Sequence, residues 1–549
     1  MNKLYKIACL MLTGVALLAT TSCSDPDDEI TTANFDRLLR PAELQLKIYD
    51  KTNIKATMDF VTVPDYVDVL IEVNDDPLAE NKNFKTYKTL TINAKELTTS
   101  ANHVTLTYNI QNLTYFKDYR VTFTSRDASG KKSLGSTSVA TTEGIFKTGN
   151  DSNRDKDMLE MKWLEVNTSK LNIKKIVNGK EEDVETITLD ETAKSSHKYK
   201  KNGLDPNTEY AFYIYDDNSC LGRTTWKTFP DYTEIKAGDD VYDAITNLAE
   251  GKALLLSPAD DGTKIFTTSK DVILDKKLHM FARDTENIEV QKLAFVLKGC
   301  SGLTLENIKC THTSEKTFIK FTEASGDYTL NNVEVTGKYN QLFVNPSDCL
   351  EGTVSSVTIK NCFIHDMGKS GKDFFDFAQK SDNSRKSIVI SNMNIEQTTF
   401  ANIICRDFAR FDYYTQQNTS TLPKSIVKNC SFYKVEAPNK GLFYIRSANT
   451  DSKNFDCTIS KCVFESVTNS SGVFYSKAAE SNGFSFSGNY YKDSDDLQRQ
   501  ATEGTTPYDK DGKAYSGKSA FKDPANFDFT IQNEGVKNAE AGNTEFVKK

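Results

Sequence analysis

Val357-Thr358-Ile359-Lys360-Asn361-Cys362-Phe363-Ile364 reads apolar, polar, apolar, polar, asparagine, apolar, any residue, apolar. The pattern recurs seven times between Leu303 and Tyr491, with Asn307, Asn332, Asn361, Asn392, Asn429, Lys461 and Gly488 in the asparagine place. Two residues earlier stand Leu305, Leu330, Ile359, Ile390, Val427, Ile459 and Phe486, and three later stand Cys310, Val335, Ile364, Ile395, Phe432, Phe464 and Tyr491. A period of two within each arm marks a strand with one buried face. The inward phase changes across the asparagine place, so one residue must turn the chain sharply. Asparagine and glycine adopt the left-handed conformation at least cost.

Successive turn residues lie 25, 29, 31, 37, 32 and 27 positions apart, a spacing that points to a solenoid. A third apolar run follows each of the first six turns, at Phe318-Ile319, Leu342-Phe343-Val344, Phe374-Phe375, Ile403-Ile404, Leu442-Phe443-Tyr444 and Val473-Phe474-Tyr475. Three strands per turn, stacked in parallel with Ile359, Ile390 and Ile459 in one column, make a parallel β-helix. A leucine-rich or helical repeat is the rival, but no turn shows the 3.6-residue spacing of a helix.

At 549 residues the chain exceeds one compact core, and its net charge of −8 argues against nucleic acid as a general partner. Of eleven cysteines, Cys362, Cys430 and Cys462 fall at equivalent inward places, where a free thiol serves as a small buried hydrophobe. No cysteine or histidine pair has zinc spacing, so neither a metal site nor a cofactor is expected. At the N-terminus Lys3 and Lys6 precede an apolar run from Ile7 to Ala19, too short to span a bilayer but suited to a secretory signal.

The run ends in Leu18-Ala19-Thr20-Thr21-Ser22-Cys23, which resembles a bacterial lipoprotein cleavage site with Cys23 as the lipidated residue. An ordinary secretory signal with an incidental cysteine is the alternative. The acidic Ser24-Asp25-Pro26-Asp27-Asp28-Glu29 that follows looks like the tag by which Bacteroidetes lipoproteins reach the outer surface.

Further along, Leu204-x-Pro206-x-Thr208-x-Tyr210 matches the corner of fibronectin type III domains, where a buried tyrosine opens a core strand. Leu113 and Tyr119 repeat the spacing without the proline and threonine. Trp163 reads as core of the second unit. The expected organisation is all-β: a signal over 1–22, a tether over 23–37, fibronectin type III-like sandwiches over 38–147 and 148–235, and a parallel β-helix over 236–549. Asp239 to Gly251 reads as a short helix with a glycine cap, plugging the open end of the stack as in pectate-lyase-like folds. Asp523 to Ile531 resembles the last coil of that fold.

The order of lipid anchor, fibronectin-like pair and right-handed, pectate-lyase-like β-helix resembles a family of Bacteroidetes surface lipoproteins from polysaccharide-utilisation systems. The resemblance implies an outer-membrane protein facing the cell exterior. It would capture pectin-like or other acidic polysaccharide without cleaving it, with a sugar-import complex as a further partner.

Catalysis on this fold must be argued from residues. A pectate lyase needs carboxylates around Ca²⁺ and an arginine base, and a hydrolase needs closely paired carboxyls. Asp373, Asp376 and Asp407 are the candidates for a lyase or hydrolase acting on pectin. Arg406, Arg410, Tyr413, Tyr444 and Arg446 are the candidates for binding a uronate chain, because guanidinium pairs carboxylate bidentately and aromatic rings stack on sugar faces. Solvated charges at strand ends, without function, are the bland alternative, and an adhesin or structural surface protein is the third reading of the whole chain.

Overall fold

The computed structural model describes residues 38–546 except 42–43, 61–62, 97, 101–102, 150–152, 351, 379–387, 414–423, 438–441, 448–455, 469–483, 495–496 and 498–508. Cys23 lies outside the described residues. The chain forms two compact units, one of residues 1–147, 162–198 and 210–225, the other of 148–161, 199–209 and 226–549.

In the first unit, one four-stranded sheet has the order Leu44–Asp50, Asn53–Phe60, His103–Ile110, Thr98–Ser100. A second has the order Lys85–Asn93, Tyr66–Asn74, Asp118–Arg126, Ser136–Thr141. Alternate residues Ile54, Ala56 and Met58 of one sheet and Val67, Val69, Val121 and Phe123 of the other fill a shared core, as expected where each sheet buries one face. This is the strand order of a fibronectin type III-like sandwich. Its tyrosine corner is present without the proline and threonine: the Thr114 amide donates to the buried Tyr119 hydroxyl at 2.9 Å. A further four-stranded sheet of the same type runs Lys180–Thr188, Lys170–Val177, Glu209–Asp216, Ser219–Lys227. Tyr210 and Trp163 are buried.

From Tyr232–Lys236 to Lys513–Ala514, 23 strands form one continuous sheet whose members pair in parallel. Register stacks like on like. One column runs Met280, Leu305, Leu330, Ile359, Ile395, Val427, Ile459, Phe486. A second runs Cys310, Val335, Ile364, Phe400, Phe432, Phe464, Tyr491. A third runs Phe295, Ile319, Phe343, Phe375, Ala409, Phe443. All three feed one hydrophobic core.

The turn residues are Asn307, Asn332, Asn361, Gln397, Asn429, Lys461 and Gly488, all left-handed with φ of 47° to 64°. Gln397 therefore replaces the expected Asn392, and Ile390 stacks on Val354 instead of joining the column of Ile359 and Ile459. The strand Ile388–Glu396 pairs with Gly352–Lys360 through to Lys360 and Glu396, and that full-length pairing places the turn five residues later. Local spacing fits either window, and the asparagine favours the wrong one. For the same reason Ile403 and Ile404 belong to the strand after the turn, Thr399–Ile404, and the third strand is Ala409–Tyr413.

The residue after each later turn carries a donor into the core. Cys362, Thr398, Cys430, Cys462 and Asn489 are buried and donate to the carbonyls of Leu330, Ile359, Ile395, Val427 and Ile459, each one turn of the stack earlier. The nine described cysteines are free, so these thiols are spacers and donors and form no bridges.

The helix Val241–Asn247 is capped by Asp240, whose carboxylate accepts the Tyr242 amide at 2.8 Å. Val241 and Ile245 enter the core of the stack, as expected for a plug. The helix stops at Asn247, and Gly251 turns the chain after it instead of capping it. The C-terminal segment also departs from expectation: Phe521–Asp523 and Asp528–Ile531 form their own antiparallel pair. Phe521 and Phe529 pack on Ala401, Tyr433, Val463 and Tyr490, the outward face of the strands after the turn. Those positions are apolar on both faces, so they require a cover.

Candidate functional site

Parallel stacking gathers the acidic and basic candidates on the third strand of each turn. Asp376, Arg410 and Tyr444 share one column, and Ala378, Asp412 and Arg446 share the next. Asp373 sits just before this strand and Arg406 and Asp407 just before the next.

Their side chains pair with one another. Arg406 grips Asp373 bidentately, with Nε 2.7 Å from Oδ1 and Nη2 bonded to Oδ2. Arg410 Nη1 lies 3.5 Å from Asp373, and Arg406 Nε lies 3.5 Å from Asp407. Asp373 and Asp407 are both 1% exposed, whereas the Arg406 side chain is 34% exposed. Burial pushes the Asp373 carboxyl up, Arg406 opposes that, and neighbouring Asp407 adds to it. Tyr444 is 2% exposed and lies under the Arg410 guanidinium, 5.3 Å from ring centroid to Cζ. The side chains of Asp412, Tyr413 and Arg446, and all of Tyr414, lie outside the described residues.

A second place was not read from the sequence. On the outward face of the strands after the turn, the position two beyond the turn residue forms the column Lys309, Glu334, Phe363, Thr399, Ser431, Val463, Tyr490. Over Thr399, Ser431 and Val463 the C-terminal segment closes down. Asn543 donates from Nδ2 to Thr399 at 3.1 Å and from its amide to Ser431 at 2.9 Å. Over Lys309, Glu334 and Phe363 it leaves a groove of about 980 Å3, walled by Phe527 and Phe546. A neighbouring groove of about 620 Å3 lies across the turn residues, and both share Asn307, Asn332 and Asn361. The change from charged to small residues along one outward column was the signal available in the sequence.

Within the groove Glu334 accepts from Lys309 Nζ at 2.8 Å, and His365 Nε2 lies 3.2 Å from the same oxygen. His365 Nδ1 lies 2.9 Å from Asp366, and its ring stacks on Phe363 at 4.1 Å with Phe527 at 4.7 Å. Burial pushes the Glu334 carboxyl up, but His365 and Lys309 together outweigh it and hold the group at about 2. Asn332 Nδ2 donates to Asn307 at 2.8 Å, and Asn307 to the Ala282 carbonyl at 3.0 Å. The groove thus offers amides, an ionised carboxylate and half-buried rings side by side. Among the described residues no group of histidine, cysteine and carboxylate side chains could hold a metal ion, and no helix is long and apolar enough to cross a membrane.

A family model described as a domain of unknown function, DUF5123, matches residues 425–544. That stretch holds the last turns of the stack and the C-terminal segment. No curated protein matches the chain. Among solved structures, a two-domain fibronectin type III segment of chicken tenascin is 14% identical and covers 34% of this chain and 99% of that one, with a TM-score of 0.19. The central fibronectin-III array of RIM-binding protein is 12% identical and covers 36% of this chain and 65% of that one, with a TM-score of 0.14. At those scores the sandwich assignment rests on strand order and the tyrosine corner.

Proposed function

We propose that the chain is a cell-surface lipoprotein, anchored through Cys23, that captures polysaccharide on a right-handed parallel β-helix and does not cleave it. The parallel register of the three columns supports the β-helix. The observation that carries the binding reading is the groove beside Glu334 and Phe363, long enough to cross three turns of the stack and lined by amides and rings. Sites that hold a ligand by a few placed polar groups on an apolar wall have this make-up. Capture without cleavage is favoured because Asp373 and Asp407 are buried and engaged by Arg406, whereas an acid or base must reach the proton it transfers. An enzymatic reading draws on one fact, the raised Asp373 carboxyl, since general acids are tuned upward by burial.

Affinity electrophoresis of the purified chain against a panel of plant and host polysaccharides, with reducing-end and unsaturated-product assays on the same mixtures, separates the readings. Retardation without product is expected. Product formation abolished by Asp373→Asn would replace capture by catalysis.

A further inference from the structure

We infer that the groove beside Glu334 takes an uncharged pyranose chain and excludes a uronate chain; this rests on the glycan-capture reading and sharpens it. Three observations converge. The first is apolar surface. Phe363, Phe527 and Phe546 are each only partly buried, and Phe363 meets Phe527 and Phe546 edge to face at 5.8 Å and 5.4 Å. His365 stacks on one face of Phe363, and the half-buried rings keep the rest of their apolar surface on the groove wall, where a pyranose can lay a C–H face of matching size.

The second is hydrogen-bonding capacity. Each asparagine amide carries two donors and an oxygen with two lone pairs, and the Asn332 bond to Asn307 uses one donor. Hydroxyl groups, which both donate and accept, fit such a surface. A carboxylate can only accept.

The third is charge. Three carboxylates line the groove, Asp284, Glu334 and Glu545, against one lysine, and that lysine is 2.8 Å from Glu334. His365 is bracketed by Glu334 and Asp366. An anionic chain entering here gives up water beside like charge, an arrangement that suppresses wrong partners. The arginines that would welcome uronate stand elsewhere, Arg410 on the third strand Ala409–Tyr413 and Arg406 just before it, where both contact Asp373.

Calorimetric titration of the full chain with neutral galactan, mannan, xylan and glucan oligosaccharides, and with polygalacturonate oligosaccharides of matched length, tests the inference. At least one neutral chain binds, with polygalacturonate tenfold or more weaker. Phe527→Ala weakens the neutral ligand about tenfold. Glu545→Gln, at an exposed position that does not threaten folding, narrows the gap between neutral and uronate chains, and Glu334→Gln narrows it further. Polygalacturonate binding as tightly as every neutral chain, or a gap unmoved by Glu545→Gln, overturns the charge selection and leaves glycan capture standing. Failure of all chains to bind overturns glycan capture itself.

Discussion

The Thr398 hydroxyl donates to the Ile359 carbonyl at 3.4 Å, bridging two turns of the stack from inside its core. The Glu396 carbonyl lies nearer, at 2.9 Å, so the single hydroxyl proton is shared between two backbone acceptors at a left-handed turn. Cys362, Cys430 and Cys462 do the same with sulfur. Removing such a donor strands an acceptor in the core, which costs roughly 1–3 kcal/mol. Thr398→Val, which keeps the shape, is expected to lower stability by about that much, and Thr398→Cys by less. Urea midpoints of the two variants check this; equal midpoints for Thr398→Val and the parent chain would count against the donor ladder.

The placement of the fourth turn is open to the same measurement. Asn361 is left-handed at φ 56°, and alanine there is expected to cost about 1–2 kcal/mol. Asn392 lies within a strand, and its side chain bonds the Ser355 carbonyl from an exposed position, so Asn392→Ala is expected to cost a few tenths of a kcal/mol. A cost at Asn392 equal to that at Asn361 would return the turn to the asparagine.

Glu334 makes stability depend on acid. Its ordinary value is 4.5 and its folded value about 2, so its contribution is complete above pH 4.5 and lost as pH falls from there to about 2. The shift corresponds to about 3 kcal/mol. Glu334→Gln is expected to flatten the acid limb of the unfolding midpoint over that window and to leave its neutral side sloping as before. An unchanged acid limb would mean that Lys309 and His365 do not hold the charge.

Arg406→Ala removes the bidentate partner of a carboxylate that is buried on all sides. Loss of one member of a buried pair costs about 3–5 kcal/mol, and the low end is expected because Arg410 also reaches Asp373. The double variant Arg406→Ala with Asp373→Asn is expected to recover part of the loss. A thermal midpoint as low in the double variant as in the single one would show that the pair is not the source.

Burial pushes the thiols of Cys310, Cys405 and Cys430 well above their ordinary value. Native protein is therefore expected to leave these thiols unmodified by maleimide at pH 7 and to expose them only in denaturant, as a mass spectrum would record. Labelling of Cys430 in native protein would contradict its place inside the stack.

The strands and their inward faces were legible because a two-residue period is a local property, and residues such as Leu305, Ile359 and Phe464 satisfy it with their nearest neighbours. Asn307, Asn332, Asn361 and Asn429 were legible as turns because their chemistry suits the left-handed conformation. The turn at Gln397 was not, since two windows fit locally and only pairing with the strand Gly352–Lys360 separates them. The cluster of Asp373, Arg406 and Arg410 was legible as a neighbourhood, but that its charges neutralise one another depends on side-chain placement across turns, which no local pattern encodes.

The amino-acid sequence by itself determined an all-β chain with a tyrosine-cornered sandwich and a run of strands hinged on asparagine, because hydrophobic period and backbone preference act over a few residues. Tertiary structure alone decided which outward column stays open. Whether Lys309, Glu334 and Phe363 line a groove while Thr399, Ser431 and Val463 are covered depends on where Phe521 to Asn543 comes to rest. That contact joins residues more than a hundred positions apart, and its energy is spread over packing that no short stretch of sequence contains.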